Sequence, residues 1–131
     1  MKLKKILLAD DDEGIVDALS IILEVNGYAV EATLDGSRVT GMLVDAPDLI
    51  ILDTWMSGID GRDVCRDIKT NPSTSNIPVL MISASHDIRE SALSAGADQF
   101  MEKPFEMHHL LKTVAALSKK EVEPIDRKAD K

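Results

Sequence analysis

The sequence predicts an α/β fold, a doubly wound parallel sheet of five strands with five helices on its two faces. Three observations predict it. Short apolar runs alternate with segments of helical periodicity from Ile6 to Ser118. Two of the runs, Leu49–Leu52 and Val79–Ile82, are apolar without a break, the pattern of strands covered on both sides. Four runs end on polar residues: Ile6–Ala9 on Asp10-Asp11-Asp12, Leu49–Leu52 on Asp53, Val79–Ile82 on Ser83, and Phe100–Glu102 on Lys103-Pro104. Parallel strands would bring those endings to one edge of the sheet, where open α/β folds bind ligands.

The elements follow in order. After the first run, Glu13 to Asn26 carries Ile15, Leu19, Ile22 and Leu23 on one helical face, and Asn26-Gly27 stops it. Tyr28 to Thr33 is a short strand, weaker than the others and so nearer an edge. Asp35 to Val44 is expected to form the second helix, with Val39, Met42 and Leu43 inward and Pro47 barring its extension. The strand Asp48–Asp53 leads through a Ser57-Gly58 turn to a third helix, Gly61 to Thr70, with Val64 and Ile68 inward. A polar loop, Asn71 to Asn76, precedes the strand Ile77–Ser83. Asp87 to Ala95 is the fourth helix, ended by Gly96, and Ala97 to Glu102 the fifth strand. Glu106 to Ser118 closes the series with Met107, Leu110, Leu111, Val114 and Leu117 at helical spacing.

The chain has 131 residues, enough for one domain with a core of its own. Residues 1–119 are expected to form that domain. Residues 120–131 mix both charges around Pro124 and read as a disordered tail or the start of a linker. Aromatic residues are few, so the core must be aliphatic. A net charge of −8 argues against general affinity for nucleic acid or an anionic membrane. The one cysteine, Cys65, cannot form an internal disulfide and suits a reducing compartment. Only four apolar residues follow the basic start Met1–Lys5, too short a run for a signal peptide or a membrane span. A cytoplasmic location is expected.

The gathered endings suggest phosphoryl chemistry. A carboxylate such as Asp53 can accept a phosphoryl group as an acyl phosphate. Asp10 and Asp11 could join it in holding Mg²⁺, which favours a few carboxylates plus water and phosphate oxygens. The Lys103 ammonium and the Ser83 hydroxyl could meet developing charge on the phosphoryl oxygens. Asp12 reads differently, as the N-cap of the first helix. His86, His108 and His109 lack metal-ligand partners and read as solvated, and Cys65 reads as a packing residue.

These segments together resemble the receiver domain of bacterial two-component response regulators. The likeness rests on Lys5–Asp12, on Asp48–Asp53 with Met56, Gly58, Asp60 and Gly61, on Ile77–Ala84, on Ala95–Asp98, and on Lys103-Pro104-Phe105. It implies the flavodoxin-like (CheY-like) fold with strand order 2-1-3-4-5. It also implies that Asp53 takes a phosphoryl group from a phosphohistidine of a sensor histidine kinase or phosphotransfer protein. Asp10, Asp11, Asp53 and the backbone carbonyl of Trp55 would hold Mg²⁺, and Ser83 and Lys103 would contact the phosphoryl group. Ser83 and Phe100 would be the switch residues. The face of the fourth helix, fifth strand and fifth helix would carry the signal to a downstream protein or output domain, with homodimerisation on phosphorylation as one outcome. The chain would then be a signalling switch whose only catalysis is its own phosphorylation and dephosphorylation. The resemblance also implies a cis Lys103–Pro104 bond.

The family pattern is departed from at a few positions. Ser57 stands where proline usually follows Met56, and Phe100 replaces a frequent tyrosine. Trp55 and Ser85 occupy the two positions that tune phosphoryl lifetime. Other readings are a stand-alone phosphorelay intermediate, a Mg²⁺-dependent phosphatase or phosphotransferase, and a pseudo-receiver that is never phosphorylated. Whether such a chain stands alone or belongs to a longer regulator is not written in its composition.

Overall fold

The structure, a computed structural model, describes residues 3–119. The tail expected over 120–131 lies outside the described residues. The chain runs β1 (Lys4–Ala9), α1 (Glu13–Val25), β2 (Tyr28–Thr33), two 3₁₀ turns (Gly36–Arg38 and Thr40–Met42) and β3 (Leu49–Asp53). It continues with a small hairpin, β4 (Trp55–Met56) and β5 (Ile59–Asp60), then α2 (Gly61–Thr70) and β6 (Val79–Ser83). A 3₁₀ turn (His86–Ile88), α3 (Arg89–Ser94), β7 (Gln99–Glu102) and α4 (Met107–Ser118) complete it.

Five strands form one parallel sheet, ordered β2-β1-β3-β6-β7. The expected order 2-1-3-4-5 takes this form because the hairpin β4–β5, whose turn was predicted but whose strands were not, claims the intervening numbers. The strand Tyr28–Thr33 lies at an edge, in line with its weak apolar pattern. Every residue of β3 and β6 is buried, as uninterrupted apolar runs require of central strands.

Alternate side chains of each strand enter opposite layers. Leu7, Ala9, Ile50, Leu52, Val79, Met81 and Phe100 pack with α2, α3 and the 3₁₀ turns. Ile6, Leu8, Leu49, Ile51, Leu80, Ile82 and Met101 pack with α1 and α4. Cys65 belongs to the first layer, fully buried, and burial pushes its thiol up to about 11.

The expected five helices are corrected to four α-helices among the described residues. Asp35–Val44 does not form an α-helix. Its hydrogen bonds span three residues, from Arg38 to Asp35, Val39 to Gly36 and Met42 to Val39. Two glycines, three β-branched residues and an Asp35 side chain that binds the Ser37 N–H at 2.9 Å all disfavour regular α-helix. The apolar spacing was nonetheless meaningful, since Val39 and Leu43 are buried. The fourth helix is likewise shorter than Asp87–Ala95, its first turn being 3₁₀.

Candidate functional site

The carboxyl ends of β1 and β3 are adjacent in the sheet and set three carboxylates together. Asp10 follows β1 directly, anchored by its N–H to the Thr33 carbonyl of β2 at 3.2 Å, and is fully buried. Its Oδ1 accepts the Asp12 N–H at 3.0 Å and its Oδ2 accepts from Lys103 Nζ at 2.9 Å. Asp12 itself caps α1, its Oδ1 accepting the Ile15 N–H at 3.2 Å, so it turns away from this group. Asp53, the last residue of β3, accepts the Thr54 N–H on Oδ1 at 2.9 Å. Lys103 Nζ lies 3.4 Å from the same oxygen. Asp11 is exposed, and its Oδ2 accepts both the N–H and the hydroxyl of Ser57, at 2.8 and 3.0 Å. Asp10, Asp11 and Asp53 each offer an oxygen within 4.8 Å of the others.

The electrostatics follow from that crowding. Burial, then the Asp10 charge, pushes the Asp53 carboxyl up to about 6, against the opposing pull of Lys103. Burial alone would lower the Lys103 ammonium, but its bond to Asp10 and the charges of Asp53 and Asp10 outweigh burial and raise it. One ammonium thus stands against three carboxylates, which leaves the group short of positive charge. Hard oxygen donors in that number and spacing suit a small divalent cation such as Mg²⁺.

The other expected residues are placed as follows. Ser83 ends β6, the next strand of the sheet, and is buried; its hydroxyl oxygen accepts the Ser85 N–H at 3.0 Å. The Lys103 N–H donates to the Ser83 carbonyl at 2.7 Å, holding the residue after β7 against the end of β6. The Lys103–Pro104 bond is cis. Phe100 is buried in β7 opposite Met81, with the Arg89 guanidinium 5.8 Å from its ring centre. The Trp55 side chain is 58% exposed beside the carboxylates' loop. Three contributors were given no role in the site from the sequence. Thr54 ties β3 to β6, its N–H and hydroxyl both reaching the Ile82 carbonyl at 3.0 Å, and only its place after Asp53 could have signalled this. Gly61 packs against the Asp53 carbonyl so closely that a Cβ would collide with it. The third is Ser57, noted as half of a Ser57-Gly58 turn and as an absent proline.

Comparison with known proteins agrees with this geometry. The model of the response regulator receiver domain matches residues 6–115. The chain is 39% identical over 116 residues to the DNA-binding dual master transcriptional regulator RpaA of Synechocystis sp., covering 86% of this chain and 48% of that one. It is 36% identical to the response regulator MprA of Mycobacterium avium, covering 86% and 50%. The chain thus spans about half the length of these curated relatives. Among solved structures, the receiver domain of a signal transduction histidine kinase from Syntrophus aciditrophicus superposes with a TM-score of 0.82 at 32% identity, covering 92% of this chain and 96% of that one. The receiver domain of NtrX from Brucella abortus gives 0.78 at 31%, covering 88% and 99%. The sheet order, the converging acidic group and the family match over most of its length show that the chain belongs to the response regulator receiver domains of two-component systems.

Proposed function

We propose that Asp53 is the phosphoacceptor of this receiver domain and that Asp10, Asp11, Asp53 and the Trp55 backbone carbonyl would hold Mg²⁺. The observation that carries the reading is the convergence of the three carboxylates within 4.8 Å, with Lys103 3.4 Å from Asp53. An Asp53 oxygen would attack the phosphorus of a phosphohistidine on a kinase or phosphotransfer protein. The P–O bond forms as the P–N bond breaks, and the departing imidazole nitrogen takes a proton. Bound Mg²⁺ would supply charge neutralisation for the carboxylates and the phosphoryl oxygens. Lys103, free of solvent on most of its surface, would meet one phosphoryl oxygen, and the Ser83 hydroxyl would leave Ser85 to donate to another. Trp55, two residues after Asp53, and Ser85, two residues after Ser83, would tune how long the acyl phosphate survives.

Output would leave through the face of α3, β7 and α4, where Phe100 and Ser83 act as the switch. Its support is the packing of Phe100 in β7 under Arg89 of α3, which links the strand to that helix. The receiver would comprise residues 1–119 and act in the cytoplasm, on an output domain or a separate protein. A DNA-binding relative such as RpaA makes a transcriptional output one candidate. No described helix is long and apolar enough to cross a membrane.

Incubation with a small phosphodonor and Mg²⁺ tests the acceptor by intact mass. One added phosphoryl group is expected on the unsubstituted chain and none on Asp53→Asn. A full adduct on Asp53→Asn would falsify the assignment.

A further inference from the structure

We propose that Ser57 is a positioning residue for Asp11, fixing this exposed carboxylate in the place from which it can hold a cation. The inference rests on the reading of the acidic group as a Mg²⁺ site and adds the part that keeps it assembled. Of the three carboxylates, Asp10 is buried and tied to Lys103, and Asp53 is buried and tied to Thr54. Asp11 alone is exposed, on a loop after β1, and its side chain would be free to swing into solvent. Both bonds that restrain it come from Ser57, 46 residues away in sequence.

The backbone around Ser57 serves the same end. Met56 pairs with Ile59 and Trp55 with Asp60, so Ser57 and Gly58 form a two-residue hairpin loop. Both have positive φ, 49° and 90°, the signature of a type I′ turn. That conformation favours glycine or asparagine, and a serine adopting it forgoes an easier backbone for a non-glycine residue. What the serine adds to the backbone N–H is a hydroxyl aimed at the same oxygen, Asp11 Oδ2. A carboxylate has lone pairs for more than two partners, so these bonds leave Asp11 able to ligate. A proline at 57 could neither donate a N–H nor take a positive φ. The hairpin therefore couples two parts of the proposed site, the Asp11 carboxylate and the Trp55 backbone.

Partners that orient a ligand from behind contribute to metal affinity even though they never touch the metal. Calorimetric titration of the chain with MgCl₂ tests this, alongside thermal melts in EDTA. In Ser57→Gly, which keeps the N–H and the positive φ and loses the hydroxyl, the Mg²⁺ Kd is expected to rise about tenfold. The metal-free melting midpoint should hold, because glycine suits the turn. In Ser57→Pro, which removes both donors, the Kd should rise further. A Kd for Ser57→Gly equal to or tighter than that of the unsubstituted chain overturns the proposal, as does a fall in the metal-free midpoint with Kd unchanged. Failure of the unsubstituted chain to bind Mg²⁺ would instead overturn the metal-site reading beneath it.

Discussion

Asp53 shows at a single residue how placement makes chemistry. It closes a fully buried strand, so its carboxyl is desolvated and faces the Asp10 charge. Its folded value of about 6 lies above the ordinary value near 3.8. Between those two pH values the folded chain holds a proton that the unfolded chain has released. Stability from this group is therefore present in full below about 3.8 and is lost as pH rises through about 6. Urea unfolding in EDTA from pH 4 to 7 should show that fall, and Asp53→Asn should flatten it. The identity of the charged residues was legible because each stands within two residues of the end of an apolar run. Ser57 was not, since a hydrogen bond spanning 46 residues leaves no periodic trace in sequence.

Elements were legible where pattern and local propensity agreed. Gly61–Thr70 and Tyr28–Thr33 form where the sequence places them, and Asp60 caps α2 by accepting the Arg62 N–H at 2.9 Å. Asp35–Val44 failed because periodicity reports only which residues turn inward. It is silent on whether the backbone closes i+4 or i+3 bonds, and here Gly36 also sits against Met56 and Ile59, where a side chain would crowd them. The start of α2 is fixed just as tightly, by the Gly61 N–H bonded to the Thr54 carbonyl at 2.6 Å and by its contact with the Asp53 backbone. Gly61→Ala should press the helix off the end of β3. We expect a loss of about 1–3 kcal/mol in stability and slower phosphorylation, measured by chemical unfolding and by the time course of the intact-mass adduct.

At the scale of the molecule, the sheet is a rigid floor and the acidic group an imbalance built onto its edge. The parallel arrangement, the two-sided burial and the convergence of strand ends were all legible, because alternating patterns constrain topology strongly. The layer to which each helix belongs was not, as it depends on crossovers rather than on any residue. A cation that relieves the crowded carboxylates binds only the folded chain and must stabilise it. At 100 times its Kd, Mg²⁺ should add about 2.7 kcal/mol, seen as a higher melting temperature that Asp10→Asn abolishes.

Cys65, the sole thiol, lies on the buried face of α2, sealed against the sheet, with its thiol pushed up to about 11. An alkylating reagent can reach it only when α2 lifts away from the sheet. The chain thus carries its own opening gauge, set in the helix that begins at the acceptor's strand. Labelling rates with the site empty, metal-loaded or phosphorylated would report how firmly each chemical state of the edge clamps the interior, with no probe added.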